Sequence, residues 1–336
     1  MILVTGGTGL VGSYLLYDLV CKGYEVKAIR REHSKLDAVK RIFNHLDGHG
    51  NRLFEKIRWV EADLLDIDSL EDALAGVTDV YHCAAMVSFN PRRKQEMITN
   101  NLQGTANLVN AALAGQVRKF CHVSSVSALA KSAGQPLVND ESGWRSSKKD
   151  PPYAISKYES EREVWRGMSE GLNAVIVSPA IIIGYGDAGR DSGRLIPSIS
   201  KISLFYTGGA NGMVGVRDVT RAMILLMESD ISQERFILNS ENKPFRELTA
   251  MIAGNLGKRK PIIRVPAAVL GLLWRFEHVR SCLFGSEPFI THATAKSSRM
   301  NYYFDGSKIT KQIDFQYTPL EQVVKEACAI YLRANK

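Results

Sequence analysis

The chain has 336 residues, 45% hydrophobic and 23% charged, an ordinary composition for a soluble globular protein and enough length for a large core and two lobes. Its formal charge is +8, but Lys and Arg are scattered and no basic stripe carries interleaved aromatics, which argues against nucleic acid and for a mild field steering an anionic ligand. No apolar run reaches the roughly 18 residues of a membrane span, and the five dispersed cysteines lack a CxxC spacing, so stable membrane insertion, a metal site and a disulfide framework are not expected.

The chain opens on MILVTGGTGLVGS. Ile2–Val4 reads as a short apolar strand, followed by Gly6, Gly9 and Gly12 and then by a helix with Leu15, Leu16, Leu19 and Val20. Strand, glycine turn and helix together make a pyrophosphate cradle. Glycines let the backbone turn tightly and approach the phosphates, and a helix N-terminus offers unpaired N–H groups to an anion. Gly6, Thr8, Gly9, Leu10 and Gly12 are the expected contacts. A functional strand starting at Ile2 leaves no room for a signal peptide, and Cys83 and Cys121 sit in apolar runs as free thiols, so a reducing cytoplasm is expected.

The second strand, Glu25–Ile29, ends at Arg30–Arg31, eighteen residues past Gly12. About twenty positions beyond such glycines, a carboxylate binds a ribose 2′-hydroxyl and an arginine accommodates a 2′-phosphate. NADP is therefore expected, with NAD as the alternative because Glu32 is close. After the third strand, Ile57–Val60, come Asp63 and Leu64, where a carboxylate either accepts from an adenine amino group or caps the next turn. A helix follows at Ser69–Leu74. The fourth strand, Asp79–Cys83, leads to Ala84–Ala85, small residues that admit a nucleotide or simply pack. Met86, Val87 and Phe89 beyond it read either as the wall of a pocket for a hydrophobic, ring-like substrate or as core.

Asn101 begins a helix that includes Gly104–Leu113. Two readings stand there: a helix cap, or a backbone or water contact that serves a proton relay. The fifth strand, Lys119–Val123, delivers Ser124, Ser125 and Ser127, of which Ser125 is the best candidate to hydrogen-bond a substrate oxygen. Tyr153 and Lys157 then stand at i and i+4, on one helix face. A lysine ammonium favours the phenolate and lowers a phenol's pKa toward a useful range, and it can also donate to ribose hydroxyls.

The sixth strand, Ala174–Val177, precedes Pro179, after which the rhythm breaks. Gly184–Gly193 reads as a loop, Val214–Met227 as a helix and Phe236–Leu238 as a last strand. Helices follow at Phe245–Gly254, Ala267–Phe276 and Leu320–Leu332. Val265–Phe276 is apolar but short and interrupted by Arg275. A buried amphipathic helix is expected there, with a pocket lid or a membrane-touching helix as the alternative. The alternation predicts an α/β, doubly wound parallel (Rossmann) sheet with a smaller, mainly helical C-terminal substrate lobe. The dinucleotide domain is expected over 1–178 plus 213–240, and the lobe over 179–212 plus 241–336.

TGGTGLVG, Asp63–Leu64, Asn101 with GT three residues on, VSSVS, YAISK, VRDVTRAM near Val216 and DGSKI at Asp305–Ile309 together resemble the extended short-chain dehydrogenase/reductase superfamily, also called the NAD-dependent epimerase/dehydratase family. The resemblance implies a triad of Ser125, Tyr153 and Lys157 with Asn101 as fourth member, and selects Ser125 over Ser124 by distance from the strand. Pro179 completes the cofactor contacts it implies, and a homodimer through helices beside the Tyr153 helix is a further implication. Arg30–Arg31, Ser178 before Pro179 and SKYESE are most similar to dihydroflavonol reductase and 3β-hydroxysteroid dehydrogenase-like members.

The expected activity is reversible carbonyl–alcohol oxidoreduction of a small molecule by hydride transfer. Ser125 and Tyr153 polarise the oxygen, Tyr153 supplies the proton, and Lys157 orients the ribose. The alternative is a nucleotide-sugar epimerase or dehydratase with a retained cofactor, its diphosphate held by Arg190, Arg194, Lys201 and Arg217. A non-catalytic dinucleotide sensor is the third reading.

Overall fold

A computed structural model describes the chain except for residues 49, 89, 130–136, 145–149, 188–190, 286–287 and 336. Seven parallel strands form the central sheet: β1 (Ile2–Thr5), β2 (Val26–Arg30), β3 (Arg58–Glu61), β4 (Asp79–His82), β5 (Lys119–Val123), β6 (Ala174–Pro179) and β7 (Glu234–Leu238). Their order is β7-β6-β5-β4-β1-β2-β3. The chain winds outward in both directions from the β1–β4 pair, so the crevice beyond the strand ends opens at that switch point. Register places Thr5 opposite His82, His82 opposite His122, and Val123 opposite Val177, which brings four strand ends to one edge.

β1, β4, β5 and β6 are buried along their whole length; β1 and most of β6 accordingly run apolar instead of alternating, while β4 and β5 also bury Asp79, His82, Lys119 and His122. Val4, Tyr81, Cys121 and Val175 face a core completed by Leu15, Leu16 and Leu19 of the Leu10–Cys21 helix and by Val219 and Met223 of the Val216–Glu228 helix. Leu3, Val80, Phe120 and Ile176 face the opposite layer, with Leu70, Leu108 and Val164.

The expected strands lie within a residue or two of the observed ones. Three differences matter. The helix expected at Gly104–Leu113 starts much earlier and spans Lys94–Ala114. The Val214–Met227 pattern divides into a strand, Ala210–Gly215, and the Val216–Glu228 helix. That strand joins Ile181–Ile183 and Glu241–Pro244 in a separate three-stranded sheet, whose short members have too few residues to show a period. Finally, the helix expected to be buried at Ala267–Phe276 runs on to Phe284, and only Leu270 and Ser281 along it are buried. Its apolar residues lie on all sides, and no other described element covers the outer ones.

Candidate active site

Gly6 leaves β1 with φ of +68°, and a Cβ there would lie 2.5 Å from the Ala84 nitrogen. A Cβ on Gly12 would meet the Gly6 carbonyl oxygen at 2.2 Å. The turn therefore closes on itself and against the chain leaving β4 only because both positions lack a side chain. The helix that follows starts at Leu10 with Gly9 as its cap. It carries no side-chain cap and no acidic residue in its first turn, so its leading N–H groups suit an anion. Leu10 packs toward Gly184 and Gly186, which fixes the helix entry. Thr8 sits half-buried in the turn.

A buried hydrogen-bonded chain ties this turn to the rest of the edge. The Ala84 N–H donates to Thr5 Oγ1 at 3.2 Å. Thr5 Oγ1 lies 2.7 Å from His82 Nδ1, and His82 Nε2 lies 3.0 Å from Thr105 Oγ1. Because the Thr105 hydroxyl donates to the Asn101 carbonyl at 2.7 Å, it accepts from His82 Nε2–H, which leaves Nδ1 to accept from Thr5. This assignment is that of a neutral imidazole. Burial, with the nearby Lys157 charge, pulls the His82 pKa down to about 3. Burial likewise pushes the Cys83 thiol up to about 12.

Asn101 is the first correction. It does not begin a helix; it lies well inside Lys94–Ala114, so the cap reading is removed. Its side chain accepts from the Met86 N–H at 2.7 Å and donates to the Met86 carbonyl at 2.9 Å. The same Nδ2 donates to Ser156 Oγ at 3.2 Å, and Ser156 Oγ donates to the Tyr153 carbonyl at 2.9 Å. One buried amide therefore clamps the segment after β4 to the Pro152–Ser169 helix.

The serines separate cleanly. Ser124 is buried and donates to Glu161 Oε2 at 2.5 Å. Ser125 is half-buried and accepts from the Ser127 N–H at 3.1 Å, which leaves its O–H to donate. Lys157 is buried and donates from Nζ to the Val123 carbonyl at 2.9 Å, the last residue of β5 and two before Ser125. Tyr153 stands half-buried one helical turn earlier, in the first turn of the same helix. Pro179 closes β6, opposite Leu238.

Around the adenosine side, Arg30 lies a third exposed at the end of β2, 3.9 Å from Glu61 Oε2. Arg31 is exposed, and Glu32 is exposed beside His33. Asp63 Oδ1 accepts from the Leu65 N–H at 3.0 Å, so this carboxylate does shape its own turn. Leu64 packs on Gly104, and its carbonyl accepts from Asn107 at 2.9 Å. Ala84 and Ala85 are half-buried, as are Met86 and Val87, which are therefore not core. Arg194 is half-buried, Lys201 exposed, and Arg217 lies over the Tyr17 ring at 5.7 Å. Phe89 and Arg190 lie outside the described residues.

Sequence reasoning missed the polar support beneath this edge. Glu161, buried, accepts from Arg235 at 2.8 Å and from Trp165 Nε1 at 3.1 Å besides Ser124. Arg235 also reaches the Asp140 and Ser142 carbonyls. The signal was present as the four-residue spacing Tyr153, Lys157, Glu161, Trp165, one continuous helix face.

The model of the NAD dependent epimerase/dehydratase family matches residues 2–238. The chain belongs to that family. It is similar to a putative dihydroflavonol 4-reductase of Synechocystis sp. (26% identical, 96% of this chain and 92% of the relative). It is also similar to sterol demethylase protein B of Methylococcus capsulatus (31% identical, 80% of this chain and 78% of the relative). Among solved structures, that of gox2253 superposes with a TM-score of 0.80 at 28% identity, covering 99% of this chain and 98% of that one. UDP-glucose 4-epimerase of Thermotoga maritima shares the fold, with a TM-score of 0.78 at 19% identity, covering 100% and 99%. This member is accordingly an NAD(P)-dependent enzyme of the extended short-chain dehydrogenase/reductase type.

Proposed function

We propose that the enzyme reduces an apolar, ring-bearing carbonyl compound with freely exchanging NADPH, and runs in reverse on the alcohol with NADP⁺. The observation that carries this reading is the convergence of Lys157, hydrogen-bonded at the end of β5, with Ser125 just beyond it and with a Tyr153 helix held by Asn101. Ser125 donates to the substrate oxygen, and Tyr153 donates to the same oxygen and gives up its proton as the alcohol forms. Lys157 keeps a positive charge beside the phenol and donates to the ribose. Asn101 positions, through Ser156, the helix that carries both. When bound, the dinucleotide supplies or takes the hydride. Gly6, Thr8, Gly9, Leu10 and Gly12 hold its pyrophosphate, Asp63 and Leu64 its adenine, and Ala84, Ala85 and Pro179 the nicotinamide side.

Arg30 and Arg31 support NADP, since no carboxylate stands at the end of β2. Half-buried Met86 and Val87 support an apolar substrate, as do relatives named for a dihydroflavonol and a sterol. The reading includes a dinucleotide domain over 1–178 plus 213–240, a substrate lobe over 179–212 plus 241–336, a cytoplasmic location for the five free thiols, and pairing through the helices beside Tyr153.

The test is cofactor exchange. The purified enzyme is expected to carry no dinucleotide and to oxidise added NADPH faster than NADH with alicyclic or aromatic ketones, followed by absorbance. An enzyme that keeps its dinucleotide through purification, releases it only on denaturing extraction and consumes none during turnover is an epimerase or dehydratase instead.

A further inference from the structure

The helix Ala267–Phe284 turns its apolar residues outward. Leu272, Phe276, Val279 and Leu283 are 70, 67, 54 and 71% exposed, while Leu270 and Ser281 face inward. At 100° per residue, those four and Val269 fall within an arc of about 80°, an unbroken apolar stripe on a helix about 27 Å long. Arg275 borders the stripe on one side, donating to the Gly271 carbonyl at 2.8 Å and lying over Trp274. Arg280, paired with Glu277 at 2.8 Å, borders it on the other. The chain that feeds the helix exposes Lys258, Arg259, Lys260 and Arg264, with Ile262 among them. Residues 251–300 hold eight basic and two acidic side chains, a net +6 within this stretch of the sequence.

We propose that this helix is a peripheral docking element for an anionic lipid surface, its stripe at the acyl boundary and its basic surroundings at phosphate level. An outward apolar stripe with arginines along its borders is suited to lie in a membrane interface without crossing it. No helix among the described residues is long and apolar enough to cross. A second copy of the chain suits the stripe less well, because a two-fold contact sets each cationic region against its own image. The Gly285 carbonyl at the helix end accepts from Asn90 Nδ2 at 3.3 Å, which ties the helix to the segment carrying Met86 and Val87. On the function proposed above, the lipid surface is then also the source of the substrate, a carbonyl compound that partitions into bilayers.

Co-sedimentation of the full chain with phosphatidylcholine vesicles, with and without phosphatidylglycerol, tests the docking. The expected result is partition at least about ten-fold stronger onto the anionic vesicles, weakened by salt. The variant Leu272→Ser, Phe276→Ser, Leu283→Ser is expected to lose about ten-fold of that partition with its melting temperature unchanged. Absence of partition, or full partition by the variant, overturns the proposal. So does a wild-type dimer in light scattering that the same substitutions dissolve, since the stripe then belongs to a second copy. Vesicle binding is read without turnover, so its failure is distinct from failure of the catalytic reading.

Discussion

The Leu10–Cys21 helix and the Ala267–Phe284 helix are both rich in leucine and valine, yet they use them in opposite ways. In the first, Leu15, Leu16 and Leu19 are wholly buried against the sheet. In the second, leucines and phenylalanines point to solvent. The first helix is held by its neighbours on both sides: the glycine turn fixes its start, and β1 fixes its inner face. The second has a neighbour on one side only. Apolar content therefore says how much surface a helix offers, and the availability of a covering element decides whether that surface becomes core.

Four measurements break or sharpen this contrast, alongside the vesicle experiment. The largest expected effect is at the sheet edge, where Tyr153→Phe lowers turnover by about 10²- to 10⁴-fold, as loss of a positioned proton donor does. Next comes the buried support. Glu161→Ala leaves Arg235 without its charge partner and is expected to destabilise by about 3–5 kcal/mol in denaturant titration. Leu16→Ala follows at about 2–5 kcal/mol, whereas Leu272→Ser stays within about 0.5 kcal/mol. Equal costs for these two leucines would erase the distinction between the helices.

The smallest effect near neutrality is the pH dependence. His82 and His122 are held neutral by burial, with folded pKa values below the ordinary histidine value. The unfolded chain then binds more protons than the folded one below about pH 6.5, so stability falls as pH drops. Each histidine contributes about 1.4 kcal/mol per pH unit. Asp18, Asp140 and Asp218, raised by burial, oppose this slope at more acidic pH. Neither ring nitrogen of His122 has a partner among the described residues, so His122→Phe is expected to reduce the slope between pH 6.5 and 5. An unchanged slope would show that His122 does not titrate on unfolding in that range.

Much of the sheet was legible because its central strands are buried on both faces and stand as short, largely apolar runs between turns, whereas the edge strand β3 is partly exposed. The glycine turn was legible for a steric reason: Gly6 and Gly12 have no room for a Cβ. Other features were hidden. Asn101 looked like a boundary residue because Asn is a good cap, and only the clamp on Met86 reveals why an amide sits inside a helix. Ser124 and Ser125 are equivalent in composition; the resemblance favoured Ser125 by its distance from the strand, but the buried Glu161 that takes the Ser124 hydroxyl was not visible in the sequence. The three-stranded sheet of Ile181–Ile183, Ala210–Gly215 and Glu241–Pro244 depends on pairing between segments far apart in the chain, which no local period reports.

The central claim is that Tyr153 does chemistry on a dinucleotide held elsewhere. It is tested most directly by titrating NADPH fluorescence and measuring turnover on the same preparations of wild type and Tyr153→Phe. The account predicts NADPH affinity retained within about three-fold while turnover falls at least about 100-fold. Turnover that survives the loss of the hydroxyl would contradict it.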